Sequence, residues 1–294
     1  MSTHISTHLR RSFLFVPADN ERLIASALAK SADVVILDLE DGTHPSRKDQ
    51  ARATLSHHIT QLAQAGKAPA VRINADLNTA VTDLRCAVVP GLAVVLLPKV
   101  EHPRDVQLLS GLVADLEKAA GMPVGGVRFL LQIESCLALP RLHEIAAADA
   151  RTMGMMLGSE DFSLDCGGLP TPEALMAPSL MVLHAARAAG IAPIGFVASI
   201  ADLGEVSEFS KVLAQARTLG FRGAVVVHPK FVDAINDCYT ATPEQISRAR
   251  DLVAAFEAAM AQGQGAIKHQ GQMIDKPVYQ RALRLLREAG ELSA

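Results

Sequence analysis

Two apolar runs of strand length each end in a carboxylate: Leu131-Gln132-Ile133-Glu134-Ser135, and Met155-Met156-Leu157-Gly158-Ser159-Glu160-Asp161. Short apolar runs bounded by polar turns read as strands buried on both faces, as in parallel sheets. In a barrel of parallel strands the chemistry sits at the carboxyl ends. Glu134 and Asp161 are therefore expected to project into one mouth. Two hard oxygen ligands on a rigid rim suit Mg²⁺, which takes few protein carboxylates and leaves its other positions to water and substrate. The competing reading makes both acids solvated strand ends or helix N-caps.

Further polar residues follow other strand-like runs: Asp38, Glu40 and Asp41; Arg72 and Asn74; Lys99; Gln132; Glu160; and His228. Charges beside a core must be paired or bound to a metal, so their recurrence strengthens the case for a site. Arg72 suits a bidentate clamp on a substrate carboxylate, against which stands a structural ion pair with Glu40 or Asp41. Lys99, after Pro98, reads as a solvated strand end more than an anion ligand. His228, before Pro229, reads as a hydrogen-bonded ring more than a base. Met153, Met155 and Met156 read as core packing, and His4, His8, His57 and His58 as surface residues with no ligand spacing.

The elements that must position these groups alternate. Strands are expected at 12–17, 33–37, 70–74, 93–97, 127–133, 155–158, 191–197 and 223–227, with helices at about 20–29, 46–65, 108–120 and 177–189. About eight strands alternating with helices is the count of a TIM (β/α)8 barrel, and it fits residues 1–240. A doubly wound sheet would want a Gly-rich phosphate turn after its first strand, and Phe15-Val16-Pro17-Ala18 has none. Residues 241–294 read as a C-terminal helical arm or lid: a helix from Pro243 to about Met260, a break at Gly263-Gln264-Gly265, a non-periodic piece at 267–276, and a last helix at 277–288.

The totals exclude several classes. The chain has 294 residues, 49% hydrophobic and 20% charged, with a formal net charge of −3. That balance gives a sizeable core and no electrostatic footprint for nucleic acid or an anionic membrane. There is no Trp, and the four cysteines (Cys86, Cys136, Cys166 and Cys238) have no CxxC spacing, so neither a disulfide framework nor a zinc site is indicated. No run reaches the ~18 apolar residues of a membrane span, and the first ten residues have no apolar signal core. The expected compartment is the cytoplasm.

The motifs Arg11-Ser12-Phe13-Leu14-Phe15-Val16-Pro17, Asp38-Leu39-Glu40-Asp41, Val71-Arg72-Ile73-Asn74, Leu97-Pro98-Lys99, Gln132-Ile133-Glu134, Leu157-Gly158-Ser159-Glu160-Asp161-Phe162, Val227-His228-Pro229 and Met273-Ile274-Asp275-Lys276-Pro277 occur in that order. As an ordered set covering almost the whole chain, they resemble the citrate lyase beta-subunit-like proteins of the HpcH/HpaI aldolase superfamily, which include malyl-CoA and citramalyl-CoA lyases. The resemblance implies a trimeric, Mg²⁺-dependent barrel that cleaves or forms a carbon–carbon bond between an acyl-CoA and a 2-oxo acid. By similarity Glu134 and Asp161 match the metal ligands, and Arg72 the arginine that grips the 2-oxo acid. Arg11 matches a further basic residue near it, and Glu40 is counted with them as a substrate contact. Asp275 matches an acid on the arm that reaches a neighbouring subunit's site and transfers a proton.

The leading expectation is cleavage of a short 3-hydroxyacyl-CoA, of citramalyl-CoA or malyl-CoA type, to acetyl-CoA and pyruvate or glyoxylate. The alternatives are a citrate lyase beta subunit acting on a citryl thioester, an aldolase of free hydroxy-oxo acids, and a barrel that binds metal and 2-oxo acid without turnover. One departure bears on substrate: many relatives carry an aspartate-glycine pair after the seventh strand, whereas Ile194-Gly195-Phe196-Val197-Ala198-Ser199 has no acid before Asp202. The loop Asp165-Cys166-Gly167-Gly168-Leu169-Pro170 is a second subgroup-specific feature.

Overall fold

A computed structural model describes residues 10–292; His4 and His8 lie outside the described residues. Eight parallel strands form one sheet: β1 (Ser12–Pro17), β2 (Val34–Asp38), β3 (Ala68–Arg72), β4 (Val94–Leu97), β5 (Arg128–Ile133), β6 (Thr152–Leu157), β7 (Ala192–Pro193) and β8 (Ala224–Val226). Their order is β7-β6-β5-β4-β3-β2-β1-β8. Two hydrogen bonds join the ends of that list: Arg222 N–H donates to the Pro193 carbonyl and Gly195 N–H to the Gly223 carbonyl, both at 2.9 Å. The sheet thereby curls into a TIM-type barrel, as the strand count predicts.

Helices cover the outside: α1 (Glu21–Leu28), α2 (Lys48–Gln64), α3 (Leu77–Ala87), α4 (Pro103–Ala119), α5 (Leu142–Ala146), α6 (Ser159–Asp165), α7 (Pro172–Ala188) and α8 (Val206–Leu219). Helices α3, α5, α6 and α8 go beyond the sequence expectation, and α4 and α7 begin five residues earlier than expected. Side-chain caps account for α3 and for the early starts of α4 and α7. Asp76 caps α3, Thr171 caps α7, and His102 with Asp105 forms a reciprocal capping box on α4.

Strand side chains alternate between faces. Phe13, Val34, Ile36, Ala70, Val94, Leu96, Leu130, Met156 and Val225 pack together inside the barrel. Continuing each strand by two residues from this layer leads to Phe15, Asp38, Arg72, Gln132 and Gly158, and two more from Gln132 to Glu134. The polar rim is therefore the next inward layer above an apolar plug. The expected seventh strand shrinks to two residues because Pro193 has no N–H for the ladder and Gly195, at φ +139°, turns the chain.

The compact unit that holds the barrel is Arg10–Asp237, and the chain from Cys238 onward belongs to a second unit; the boundary falls inside α9 (Val232–Tyr239). The second unit contains α10 (Pro243–Ala261), a two-stranded antiparallel ribbon of β9 (Ile267–His269) and β10 (Gln272–Ile274), and α11 (Lys276–Glu288). The ribbon gives the non-periodic 267–276 piece a strand pairing in an arm expected to be helical. Its turn residues Gln270 and Gly271 both have positive φ, the geometry of a tight hairpin. No described helix is long and apolar enough to cross a membrane.

Candidate active site

A cavity of about 410 Å³ opens at the carboxyl ends of the strands. Asp38, Arg72, Gln132, Gly158 and Asp161 all line it. Residue pairing on the sheet begins the assembly: Asp38 at the end of β2 sits in register with Arg72 at the end of β3. Arg72 Nε donates to Asp38 Oδ1 at 2.7 Å and one terminal nitrogen to Asp38 Oδ2 at 2.6 Å. The other terminal nitrogen pairs with Glu40 Oε2 at 2.9 Å. The guanidinium also lies over the Phe15 ring, 4.8 Å from its centroid. Burial works against its charge, yet Asp38 and Glu40 more than offset this and hold Arg72 protonated.

The sequence left a clamp and an ion pair as alternatives for Arg72, and the geometry accommodates both. A guanidinium has five N–H donors in a planar fork. Two are spent on Asp38 and a terminal nitrogen is ion-paired with Glu40 without a hydrogen bond to its Oε2, which leaves at least two for a ligand in the cavity. Asp38 in turn is fixed by the backbone N–H groups of Glu40 (3.0 Å) and Gly42 (2.9 Å). A Cβ on Gly42 would overlap the Asp38 carboxylate, so a side chain there would displace Asp38 from Arg72. Asp38 was in the sequence inventory without a role. Its role is to orient Arg72.

Glu134 is 3% exposed. Its Oε2 accepts the Lys99 backbone N–H at 2.7 Å and its Oε1 accepts Gln132 Nε2 at 2.7 Å. Gly158, which lines the cavity, lies directly against it: a Cβ there would stand 2.6 Å from Glu134 Cγ. Burial, then the neighbouring Glu40 and Asp161 carboxylates, push the Glu134 acid up to about 8. Burial likewise raises Glu40 despite Arg72 and Lys99. The Gln132 Oε1 atom is buried with no hydrogen-bond partner.

These observations fit a divalent cation. Crowded carboxylates with a raised acid and an orphaned amide oxygen make a site that lacks positive charge. Among the described residues no three His, Cys, Asp or Glu side chains converge as a metal cluster. The protein would thus supply the two carboxylates Glu134 and Asp161, with water or substrate completing the shell, the pattern that suits Mg²⁺.

Lys99 holds a second tie, through a backbone at φ +50° that side chains rarely adopt. In that conformation its N–H serves Glu134 while its amine reaches Glu40 Oε1 at 2.8 Å. It is therefore a paired member of the site rather than a solvated strand end. His228 is exposed, and its Nδ1 accepts the Lys230 backbone N–H at 3.1 Å; it caps a turn. Asn74 is tied to Asp83 at 2.8 and 2.7 Å and serves the wall. Glu160 accepts from Ser159 (3.1 Å) and Ser199 (2.8 Å). Ser199 is thus a polar group that the segment after β7 supplies to Glu160.

Arg11 is a correction. It precedes β1, at the amino end of the strands and so opposite to the mouth. Its side chain is spent on Asp33, just before β2, at 2.9 and 2.8 Å, with its backbone N–H donating to the same carboxylate at 2.7 Å. This pair ties the chain before β1 to the chain before β2, and Arg11 is not among the residues that line the cavity. Asp275 belongs to the other unit, where it caps α11 by accepting the Val278 N–H at 3.1 Å.

Comparisons with known proteins agree with this fold. The sequence pattern of the HpcH/HpaI aldolase/citrate lyase family matches residues 11–229. A citrate lyase subunit beta from Leuconostoc mesenteroides subsp. cremoris is 34% identical over 284 residues, covering 96% of this chain and 93% of that one. An L-malyl-CoA/beta-methylmalyl-CoA lyase from Cereibacter sphaeroides is 33% identical over 311 residues, covering 97% and 96%. The crystal structure of CitE from Mycobacterium tuberculosis in complex with magnesium, acetoacetate and coenzyme A superposes with a TM-score of 0.71 at 30% identity, covering 96% and 98%. The barrel, the ordered rim and the full-length likeness together show that this chain belongs to the HpcH/HpaI aldolase/citrate lyase family of carbon–carbon lyases.

Proposed function

We propose that the protein is a Mg²⁺-dependent lyase that splits a short 3-hydroxyacyl-CoA, of the citramalyl-CoA or malyl-CoA type, into acetyl-CoA and pyruvate or glyoxylate. The observation that carries this reading is the pairing of a half-spent guanidinium with a cation-demanding acid cluster around one cavity. A 2-oxo acid presents a carboxylate for Arg72 and an adjacent oxygen for the acid side of the site. Bound by Glu134 and Asp161, Mg²⁺ would supply Lewis-acid polarisation of that oxygen.

The chain's own residues do the rest. Arg72 takes the substrate carboxylate on its remaining N–H groups, and Asp38, Glu40 and Phe15 keep the fork from turning. Lys99 offsets the Glu40 charge. Loss of the substrate's hydroxyl proton breaks the bond between C2 and C3 of the acyl chain, which gives the 2-oxo acid and a thioester enolate. In this reading Asp275 protonates the enolate carbon. Its Oδ1 is engaged with Val278, which leaves Oδ2 for the transfer. Residues 241–294 act as an arm that completes a neighbouring subunit's site within a homotrimer, and the acyl-CoA approaches past the 165–170 loop.

A second reading is a citrate lyase beta subunit acting on a citryl thioester to give oxaloacetate. It is favoured by the citrate lyase beta relative and by the same Arg72 geometry, since oxaloacetate is also a 2-oxo acid. One assay separates the two. Purified protein is incubated with (S)-citramalyl-CoA, malyl-CoA or citryl-CoA, with and without Mg²⁺, and released CoA thioester and 2-oxo acid are measured. Magnesium-dependent cleavage of one of the first two is the expected result. Cleavage of citryl-CoA alone selects the second reading. No cleavage of any, with pyruvate or oxaloacetate still bound in calorimetry, indicates a barrel that binds without turnover.

A further inference from the structure

Cys136 and Cys166 are far apart in sequence, yet their sulfurs lie 2.9 Å apart. Both residues are exposed and neither is bonded to another cysteine. We propose that they form a reversible disulfide, a redox-modified site on the shoulder of the catalytic mouth.

The geometry is nearly that of the product. A disulfide needs its sulfurs at ~2.05 Å, so the pair must close by less than about 1 Å. The backbone on each side is already tied. The Cys136 N–H donates to Asp165 Oδ2 at 2.7 Å, so the residue before Cys166 holds Cys136 in place. The Cys166 N–H donates to the Phe162 carbonyl at 3.0 Å, the last turn of α6. Gly167 then leaves the helix at φ +68°, and the Gly168 N–H returns to the Ser163 carbonyl at 2.9 Å. Neither thiol sits on a free loop end, so approach requires side-chain rotation more than backbone movement.

The placement gives the bond a consequence. Cys136 lies two residues beyond Glu134, and Cys166 five beyond Asp161. The disulfide would close a ring that contains β6 and Asp161 and would pin the end of α6 to the segment that leaves β5. In the reading proposed above, those are the carriers of the two metal ligands. The disulfide itself stands on the cysteine geometry alone.

The chemistry balances with a small disulfide, such as oxidised glutathione, as co-reactant. One protein thiol displaces a thiol from it to give a mixed disulfide, and the second protein thiol then displaces the other. Two small thiols leave with the two hydrogens and two electrons, and one protein S–S bond remains. Exposed disulfides are the readily reduced ones, and a thiol-rich compartment would reopen it.

The test uses the full-length protein, equilibrated with graded ratios of reduced to oxidised glutathione, quenched with an alkylating agent and mass-mapped without reduction. The expected result is a fall in alkylatable thiols from four to two with a single Cys136–Cys166 cross-linked peptide. The melting temperature should rise by roughly 5 °C or more, since the bond closes a long loop, and added reductant should reverse it. Cys136→Ser and Cys166→Ser should each abolish both changes, whereas Cys86→Ser should abolish neither. Four alkylatable thiols throughout, glutathione adducts without a cross-link, or a cross-link to Cys86 or Cys238 would overturn the proposal.

Discussion

Gly158 shows how a site can depend on an atom that is not there. Its backbone, at φ −85° and ψ 97°, suits any residue, so alanine there costs nothing in the turn itself. The added methyl would nevertheless stand 2.6 Å from Glu134 Cγ and 2.8 Å from both Glu134 Oε1 and Gln132 Nε2. Gly158→Ala is therefore expected to keep the fold, read by circular dichroism, while weakening Mg²⁺ at least ~10-fold and lowering kcat/KM about 100-fold, the usual scale for a misplacement of about 1 Å. Unchanged Mg²⁺ titration would show that Glu134 has no part in the metal site. Glu134 also makes a pH prediction. Its acid is raised to about 8, so the folded, metal-free protein holds a proton that the unfolded chain releases near the ordinary value of 4.5. This group's stabilisation is present below about 4.5 and is lost as pH rises to about 8. Mg²⁺ must displace that proton. Calorimetry in buffers of different ionisation enthalpy should show close to one proton released per Mg²⁺ at pH 6–7, fading above about pH 9, and the melting-temperature gain from Mg²⁺ should widen from pH 5 to 8. A proton count near zero at pH 6.5 would contradict the assignment.

Strands β1, β2, β3, β5 and β6 reach the site through the residue two positions past the apolar plug, whereas after β4 the chain reaches it through strain. The chain leaves Leu97 through Pro98 into Lys99 at φ +50°, so that one residue serves both Glu134 and Glu40. Lys99→Gly and Lys99→Ala remove the amine equally, but only glycine relaxes the backbone. The glycine variant should be more stable than the alanine variant by roughly 1 kcal/mol in urea unfolding, with both impaired in catalysis because Glu40 loses a partner; the reverse order of stability would mean that this backbone is not strained. Elements of this kind were unequally visible in the sequence. Seven strands were legible because each is an apolar run that alternates into the plug, and period two then carries Val34-Ile36 to Asp38 and Leu130-Gln132 to Glu134. Helix α8 offered Phe209, Leu213 and Ala216 at helical spacing, a signal that was there to read. Helix α3 buries mainly Ala80, Asp83, Leu84 and Ala87, too small and too polar a face to stand out. The Cys136–Cys166 contact depends on how the ends of β5 and α6 meet, which spacing does not encode. Arg11 was drawn to the mouth by resemblance, although its position before β1 already placed it at the other end of the barrel.

At the scale of the whole molecule, the cavity, Arg72, Glu134 and Asp161 all belong to the unit Arg10–Asp237, while Asp275 belongs to the unit that follows. If the second unit serves a neighbour in a homotrimer, a catalytic site is divided between two chains, and such division has an arithmetic signature. Glu134→Ala spoils the barrel but leaves the arm intact, and Asp275→Ala does the opposite, so neither variant alone should turn over. Co-expressed in equal amounts and assembled at random, they give a site with an intact barrel half the time and an intact arriving arm half the time. About one quarter of the sites, and hence about one quarter of wild-type activity, should return in a head-to-tail ring. If the arm folds back on its own barrel, every chain carries one lesion in its only site, and the mixture stays as inactive as its parents. Light scattering on the same sample must show three chains per particle for the quarter to be meaningful. A monomer, or a trimer without recovery, would rule out a site shared between chains, and full turnover by Asp275→Ala alone would confine Asp275 to capping α11 and leave the enolate's proton to another group on the barrel.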